Sequence, residues 1–226
     1  MKETSEDIIW SEEIELEGES ELNPAQQRMA RIVYPVDTRL QSLIQAVRTM
    51  EPKKGEGAGF SDLLSEFPWV AGVAVVSPEG EIRASQPEND QGLPRLEKVV
   101  RQASQWDDRD LHALYGKSRF GMDAVLLEAL YSSGRHTGYL VVSFDFSSLM
   151  ERTSRQKELV AVSQGEVLWA GGYDGASKRL AQLEWDQRLE SRAWGRCRVK
   201  EGMFLWMARY IGEEPFFYAV KIQGDS

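Results

Sequence analysis

The hydrophobic positions of this chain follow one alternating pattern in two places. In the first copy, the turn sequence Ser77-Pro78-Glu79-Gly80-Glu81 separates two apolar runs, and in the second copy Ser163-Gln164-Gly165-Glu166 does the same. Each copy predicts a β-hairpin, because its glycine supplies the positive φ that a tight connection requires. Two similar hairpins indicate two related units, and tandem units of this kind more often bind and transmit than catalyse.

A helical repeat of apolar residues precedes the first hairpin. Asn23, Pro24 and Gln26 have the spacing of a helix N-terminus, with a proline at the first helical position and a glutamine that completes a capping box. Apolar residues then recur at steps of three and four, which predicts a helix with one apolar stripe. The stripe consists of Met29, Ile32, Val33, Val36, Leu40, Leu43, Ile44 and Val47. Pro35 interrupts it, so we expect either a kink or two abutting helices there, and an end at Pro52.

The rest of the first unit has the pattern of helix, hairpin, helix and three strands. A short helix is predicted at 61–66, and a second amphipathic helix ends near Trp106 after a polar loop at 86–94. The three antiparallel strands are predicted at 111–115, 124–131 and 139–144. The connection between the last two strands places His136 in a turn.

The second unit repeats this order after a connecting helix at 145–150 and a charged boundary at 151–157. Its hairpin is followed by one predicted helix over 176–190, with Leu180, Leu183 and Leu189 facing inward. Three further strands are predicted at 193–200, 203–211 and 216–222. The aromatic residues of this unit are of the kind that usually fills a core.

The charge of the chain is concentrated at its start. The net charge is -9, of which residues 1–21 contribute -8 and the remaining body -1. A nearly neutral body offers no basic surface for phosphates, which argues against nucleic-acid binding. The acidic leader is either an interaction arm or a solvated, partly disordered segment, although the alternation in Ile14-Glu15-Leu16-Glu17 is also compatible with an edge strand.

Two places carry residue types used in catalysis. Cys197 is the single cysteine, so an intrachain disulfide is excluded, and its alternating surroundings favour a buried strand residue over a nucleophile. The sequence Asp107-Asp108-Arg109-Asp110-Leu111-His112 could hold a divalent ion or pair an acid with a base, in which case Asp110→Asn would abolish turnover. Its spacing matches no specific enzyme motif, and consecutive acids after a helix are usually a solvated break.

Together these elements resemble a double Cache sensor domain. The resemblance rests on the long leading helix, the hairpin Gly72–Ile82, the run Gly138–Leu149, and the second hairpin with its three strands. It implies an α+β fold in which a long N-terminal stalk helix precedes two PAS-like units, each an antiparallel sheet with flanking helices. The implied divisions are an acidic leader at 1–22, the stalk at 23–52, a membrane-distal unit at 53–150 and a membrane-proximal unit at 151–226.

The resemblance also implies a function. Double Cache domains are typically extracytoplasmic parts of bacterial signalling proteins, and they usually bind small metabolites in the distal unit. The longest apolar runs of this chain are far shorter than the ~20 residues that cross a bilayer, so we expect any membrane association to come from an anchor outside the chain. An acidic rather than apolar start predicts no signal peptide within it. The apolar stripe of the stalk would suit a parallel homodimer or a signalling protein partner.

A pocket for a small anion or zwitterion needs a few convergent polar groups in an apolar, aromatic setting, and arginine is favoured for carboxylates. The predicted ligand-binding residues, all in the first unit, are Arg83, Trp106, Tyr115, Arg119 and Tyr131. The arginines could equally be surface residues, and the aromatic residues could equally be core. The Arg-x-Trp-Tyr signature of amino-acid-binding members is absent, since the comparable stretch is Leu114-Tyr115-Gly116-Lys117-Ser118-Arg119-Phe120.

We therefore expect a non-enzymatic, extracytoplasmic module that senses a small organic ligand and needs no metal and no cofactor. The alternative is the body of a periplasmic lipoprotein that acts as a protein-interaction module without a small ligand. A third possibility, a hydrolase that uses the residues Asp107 to His112, has the least support.

Overall fold

The structure is a computed structural model that describes residues 23–50, 57, 59–87, 111–117, 122–151 and 153–222. The acidic leader with its predicted edge strand, the predicted helix that ends near Trp106, and the acids Asp107 to Asp110 lie outside these residues. Among the helices of the described residues, none is long and apolar enough to span a membrane.

The chain's longest element is α1, Pro24–Thr49. The predicted capping box is present: the Asn23 side chain accepts a hydrogen bond from the backbone N–H of Ala25 at 3.0 Å, and Gln26 accepts one from the Asn23 N–H at 3.1 Å. The eight residues of the predicted stripe are the buried residues of α1, which confirms the helical period.

Pro35 does not divide α1 into two helices, so that alternative was wrong. A proline inside a helix costs about 3 kcal/mol, because it removes one backbone hydrogen bond and crowds the preceding turn. Each fully buried aliphatic side chain contributes about 1.5–3 kcal/mol, and both Val36, directly after the proline, and Leu40, one turn later, are fully buried. Pro35 itself is exposed, so packing on the opposite side of the helix outweighs its cost.

Two five-stranded antiparallel sheets follow α1, and they have the same strand order. The first sheet has the order β2-β1-β5-β4-β3 and the second β7-β6-β10-β9-β8. The strands of the first sheet are β1 Val70–Val76, β2 Ile82–Gln86, β3 His112–Lys117, β4 Met122–Ser132 and β5 Arg135–Asp145. Those of the second are β6 Leu159–Ser163, β7 Glu166–Trp169, β8 Trp194–Val199, β9 Gly202–Ile211 and β10 Glu214–Ile222. The predicted duplication is therefore confirmed by topology.

Short helices complete the described part of the fold. They are α2 Phe60–Glu66, α3 Phe146–Met150, α4 Asp174–Ala181 and α5 Trp185–Leu189, with a 3₁₀ turn at Gln156–Glu158. Both predicted hairpins are present, and their turn glycines have positive φ, 95° at Gly80 and 81° at Gly165. The helix α3 contacts strands of both sheets and so connects the two units.

The single helix predicted over 176–190 was wrong, because the chain turns between α4 and α5. The turn inserts the Trp185 ring into the core, where it stacks on Phe217 with the ring centroids 4.0 Å apart. The Trp185 indole N–H donates to the Leu180 carbonyl at 2.9 Å, which satisfies a carbonyl at the end of α4. Of the three leucines predicted to face inward, Leu180 is fully buried and Leu183 and Leu189 are partly buried.

The prediction that His136 lies in a turn was also wrong. Ser133 and Gly134 both have positive φ, 50° and 77°, which forms a two-residue turn of the type that hairpins favour. Such a short turn lets the flanking strands extend further than the sequence indicated. His136 is therefore part of β5 and is paired with Tyr131 of β4.

The stripe of α1 packs against one face of each sheet, which we call the near faces. The near-face residues of both sheets and the α1 stripe form one continuous hydrophobic cluster. Within the described residues, two ion pairs also connect α1 to the second unit: Arg28 to Glu158 at 2.6 Å and Asp37 to Arg209 at 3.0 Å. The helix is therefore the common support of the two sheets.

The turn between β9 and β10 touches the backbone of the first unit. A Cβ atom added to Gly212 would lie 1.6 Å from the Leu111 carbonyl oxygen, just before β3, and Gly212 has a φ of +61°. Only glycine allows this close approach.

Cys197 lies in β8 and is buried in the core of the second unit, as predicted. Burial raises the pKa of its thiol to about 11, and the nearby positive charge of Arg188 lowers it only in part. A thiol with so high a pKa is protonated at neutral pH and is a poor nucleophile.

We expect Gly212→Ala to lower the free energy of unfolding by about 2–4 kcal/mol, from left-handed backbone strain and the clash with Leu111. The matched control is Gly134→Ala, which has a φ of +77° but no atom within 4 Å of the added Cβ. It should cost only about 1 kcal/mol. Chemical denaturation measures both values, and equal costs would show that the contact with Leu111 is unimportant for stability.

We expect the Cys197 thiol of the native protein to react with an aromatic disulfide reagent at pH 8 at least about 100-fold more slowly than the denatured chain, because the native thiol is buried and protonated. Absorbance of the released thiolate measures the rate. Similar rates in the native and denatured states would contradict the buried position.

Candidate ligand-binding site

The first sheet has a second face, turned away from α1, which we call its far face. The far face carries a separate cluster of buried apolar residues, and most of them are small. They are Ala74, Val76, Val125, Leu127, Tyr139 and Val141, with Leu114 and Ala129 packed against them. Because side chains alternate along each strand, these residues lie back to back with the near-face residues of the main core.

The far face of the second sheet is filled in a different way. Its cluster contains the large aromatic residues Phe204, Trp206 and Phe217, and Trp185 of α5 contacts two of them. The helices α4 and α5 pack directly on this face. In the first sheet, the equivalent connection between the second and third strands is residues 87–111, most of which lie outside the described residues. The second unit therefore completes its core with its own side chains, whereas the far face of the first sheet presents mainly alanine and valine.

Polar groups are interspersed on the far face of the first sheet. Ser85 is paired with Ala74, His112 with Leu127, and Ser143 with Val125, and cross-strand partners share a face. His112 and Ser143 are buried. The Ser143 hydroxyl donates to the Gly72 carbonyl at 3.4 Å. These positions give the apolar surface a few hydrogen-bonding groups.

One end of the first sheet combines charged and aromatic side chains. The His136 ring lies between two tyrosine rings, with its centroid 5.6 Å from that of Tyr131 and 4.7 Å from that of Tyr139. Glu79, in the β1–β2 turn, is exposed, and its pKa is lowered by a hydrogen bond from Ser77, by a backbone hydrogen bond and, to a smaller extent, by the nearby Arg83 and His136 side chains. Carboxylate, guanidinium, imidazole and phenol groups therefore meet at this end.

Arg83 and Tyr131 are the two predicted ligand-binding residues at this end of the sheet. Arg83 is the extra residue of a β-bulge in the edge strand β2, opposite Val75 and Val76 of β1, and its side chain is exposed. Tyr131 is 41% exposed and stands beside His136. The structure thus brings these two residues to the same end of one sheet.

Tyr115 lies on the other side of the sheet. Its cross-strand partner is Ala124 of the near face, and its ring is 6.2 Å from that of Phe146 in the main core. Burial, and secondarily the negative charge of Glu214, raise the pKa of its hydroxyl. The structure therefore separates Tyr115 from Arg83 and Tyr131. The predicted residues Trp106 and Arg119 lie outside the described residues.

Several polar residues of the far face were not predicted from the sequence. Tyr139 and Ser143 alternate with buried apolar residues along β5, and this alternation was the signal that could have identified them. The strand predicted at 111–115 contains His112, which does lie in β3, but the burial of its side chain on the far face was not predicted. Within the described part of the chain, no group of three or more His, Cys, Asp or Glu residues could hold a metal ion.

No family model matches this chain, and no curated protein matches it either. Solved structures do match it in fold. The extracellular domain of vpHK1S-Z8, assigned as a histidine kinase, is 11% identical, with a TM-score of 0.55 over 87% of this chain and 90% of that chain.

Two ligand-bound chemoreceptor domains are also similar to this chain. The ligand-binding domain of Pseudomonas fluorescens CtaA, in complex with L-isoleucine, is 12% identical, with a TM-score of 0.50 over 83% of this chain and 87% of that chain. The domain of the Pseudomonas aeruginosa PAO1 amino-acid chemoreceptor PctC, in complex with GABA, is 13% identical, with a TM-score of 0.50 over 88% and 95%. The chain therefore has the tandem PAS-like fold of bacterial extracellular sensor domains, as its resemblance to double Cache domains implied.

Proposed function

We propose that this protein is a non-enzymatic, extracytoplasmic sensing module that binds a small zwitterionic metabolite on the far face of its first sheet. The observation that carries the proposal is the difference between the two far faces. One is filled by the aromatic residues of its own unit, and the other is lined by small apolar side chains with charged and aromatic groups at one end. Ligand sites in proteins typically combine such an apolar surface with a few convergent polar groups.

The size of the side chains favours the first unit over the second. In the second unit, the rings of Trp185, Trp206 and Phe217 are in mutual contact, with centroids 4.0–6.1 Å apart. A ligand there would have to displace buried aromatic rings, which is costly in a close-packed core. Among the described residues, the far face of the first sheet carries the short side chains Ala74, Val76 and Val141 in place of such a stack of rings.

The charges at the end of the first sheet favour a ligand that carries both signs. In this proposal Arg83 binds a carboxylate, since a guanidinium donates two parallel hydrogen bonds to it. Glu79 is ionised and exposed, and it binds an ammonium group. Tyr131 and His136 close the site with ring contacts and hydrogen bonds. Arg119 and Trp106 complete the set on the strength of the sequence alone, and Tyr115 is left out because it lies on the opposite face.

The bound molecules of the solved relatives agree with this ligand class. CtaA was solved with L-isoleucine and PctC with GABA, and both are small zwitterions. Because the identities are 12% and 13%, the likeness supports a class of ligand rather than one compound.

A thermal-shift screen tests the proposal. The purified chain is screened against the twenty L-amino acids, GABA, organic acids, amines, purines and divalent ions, because a ligand that binds only the native state raises the melting temperature. We expect stabilisation by a subset of amino-acid-like zwitterions. A response to divalent ions alone, or no response across the library, would contradict the proposal and favour a protein-interaction module.

For a compound found in this screen, we expect Arg83→Ala to weaken binding at least about tenfold in calorimetry, because a hydrogen bond to a charged group contributes about 1.5–3 kcal/mol. Arg196→Ala is the matched control, since Arg196 is an exposed arginine on an edge strand of the second sheet. It should leave the affinity unchanged. If Arg83→Ala and Arg119→Ala both bind the compound as tightly as the wild type, the proposed carboxylate anchors are wrong.

A further inference from the structure

We infer that the strand β3 passes the occupancy of the far face to the stalk helix and the second sheet, through a junction formed by Tyr115, Asp37, Arg209 and Tyr218. The role of this junction as a signalling route depends on the proposed ligand site. Its physical basis is a series of contacts that leads from β3 through Phe146 to β10, and from β9 through an ion pair to α1.

The two faces of β3 have different surroundings. His112 and Leu114 point to the far face, where they are paired with Leu127 and Val125. Tyr115, between Leu114 and Gly116, points to the near face and packs on the main core. A displacement of β3 by a molecule on the far face would therefore move Tyr115 as well, because neighbouring residues of a strand move with one backbone.

Aromatic rings lead from Tyr115 into the second sheet. The ring centroid of Tyr115 is 6.2 Å from that of Phe146 in α3, which is 6.5 Å from that of Phe216 in β10. Phe216 is in turn 5.1 Å from Tyr218. The backbone makes a second connection nearby, where Gly212 lies against the Leu111 carbonyl at the start of β3. The β9–β10 hairpin is therefore connected to β3 through the Phe146 ring and by the backbone approach at Gly212.

The junction ends at a partly buried ion pair. Arg209 of β9 donates from its Nε to an Asp37 carboxylate oxygen of α1 at 3.0 Å. Burial raises the pKa of Asp37, and the positive charge of Arg209 and its hydrogen bond lower it only in part. The buried Tyr218 hydroxyl experiences the fields of Asp37, Arg209 and Tyr115, and its own burial raises its pKa well above the usual value. These groups are close enough to influence one another electrostatically.

Three polar atoms at the junction are buried without a hydrogen-bond partner among the described residues. They are the Tyr115 hydroxyl, the Tyr218 hydroxyl and the second carboxylate oxygen of Asp37. Each such atom costs free energy, so an arrangement that pairs them is favoured over one that does not. Because Tyr115 belongs to the first sheet, Tyr218 to the second and Asp37 to α1, a change in their pairing requires relative movement of these three elements. This makes the junction a suitable two-state element.

Hydrogen exchange of the full chain, without any ligand, tests the inference. The variant Arg209→Met keeps the aliphatic stem but leaves Asp37 without its cation. We expect exchange in the β3 peptide, residues 111–117, to accelerate at least about threefold, because local openings reflect local contacts. Arg28→Met is the matched control, since Arg28 forms a second ion pair between α1 and the second unit, with Glu158. It should leave β3 exchange unchanged.

The variant Tyr115→Phe provides a second measurement in the reverse direction. It keeps the ring against Phe146 and removes only the hydroxyl, so it should fold. Since coupling between two sites is reciprocal, we expect exchange in the β9–β10 hairpin, residues 209–218, to change at least about twofold. The β6–β7 hairpin of the same sheet, residues 159–169, is the internal control and should not change.

The inference would be overturned if Arg209→Met and Arg28→Met had equal effects on exchange in β3. It would also be overturned if either Arg209→Met or Tyr115→Phe left exchange on the other side of the junction unchanged. Neither measurement uses a ligand, so this failure would leave the proposed ligand site intact. Conversely, a blank ligand screen would not affect the exchange results and would identify the ligand proposal as the part that failed.

Discussion

The structure depends on the burial of one helical stripe against two sheets at once. Eight apolar residues of α1 pack into a cluster that also contains the near faces of both sheets, so each sheet covers part of the same helix. An isolated helix of this length is marginal in water, and most of its stability comes from such packing. This explains why α1 remains continuous through Pro35, and why the two sheets hold a common position relative to it.

The duplicated topology makes the differences between the units informative. Both sheets have the same strand order, yet only the second unit covers its far face with aromatic residues and with the helices α4 and α5 in the described part of the chain. Packing and binding place opposite demands on such a face, because a well-packed core has no space for a ligand. The second unit meets the demand of packing with its own aromatic side chains, whereas the far face of the first sheet carries mainly small residues.

Much of the fold could be predicted from the sequence, because periodicity and turn chemistry are local signals. The stripe of α1, both hairpins and the buried position of Cys197 were predicted correctly. The break before Trp185 could not be predicted, since it is caused by a ring that stacks on Phe217, distant in the sequence. The site residues were harder still. Whether Tyr115 points to the near or the far face is set by its register with β4, and a shift of one residue would reverse it.

The position of Arg28 beside Lys221 has a consequence for the connectivity of the chain. The Arg28 guanidinium, near the start of α1, reaches the Lys221 carbonyl at the end of β10 at 3.5 Å. The start of α1 and the end of β10 therefore lie close together at one end of the molecule. A short peptide could join them, and the exposed turn at Ser133 and Gly134 could then serve as new termini. In such a rearranged chain, β5 and the second unit would precede α1 and the strands β1 to β4, and the first sheet would be assembled from the two ends of the chain.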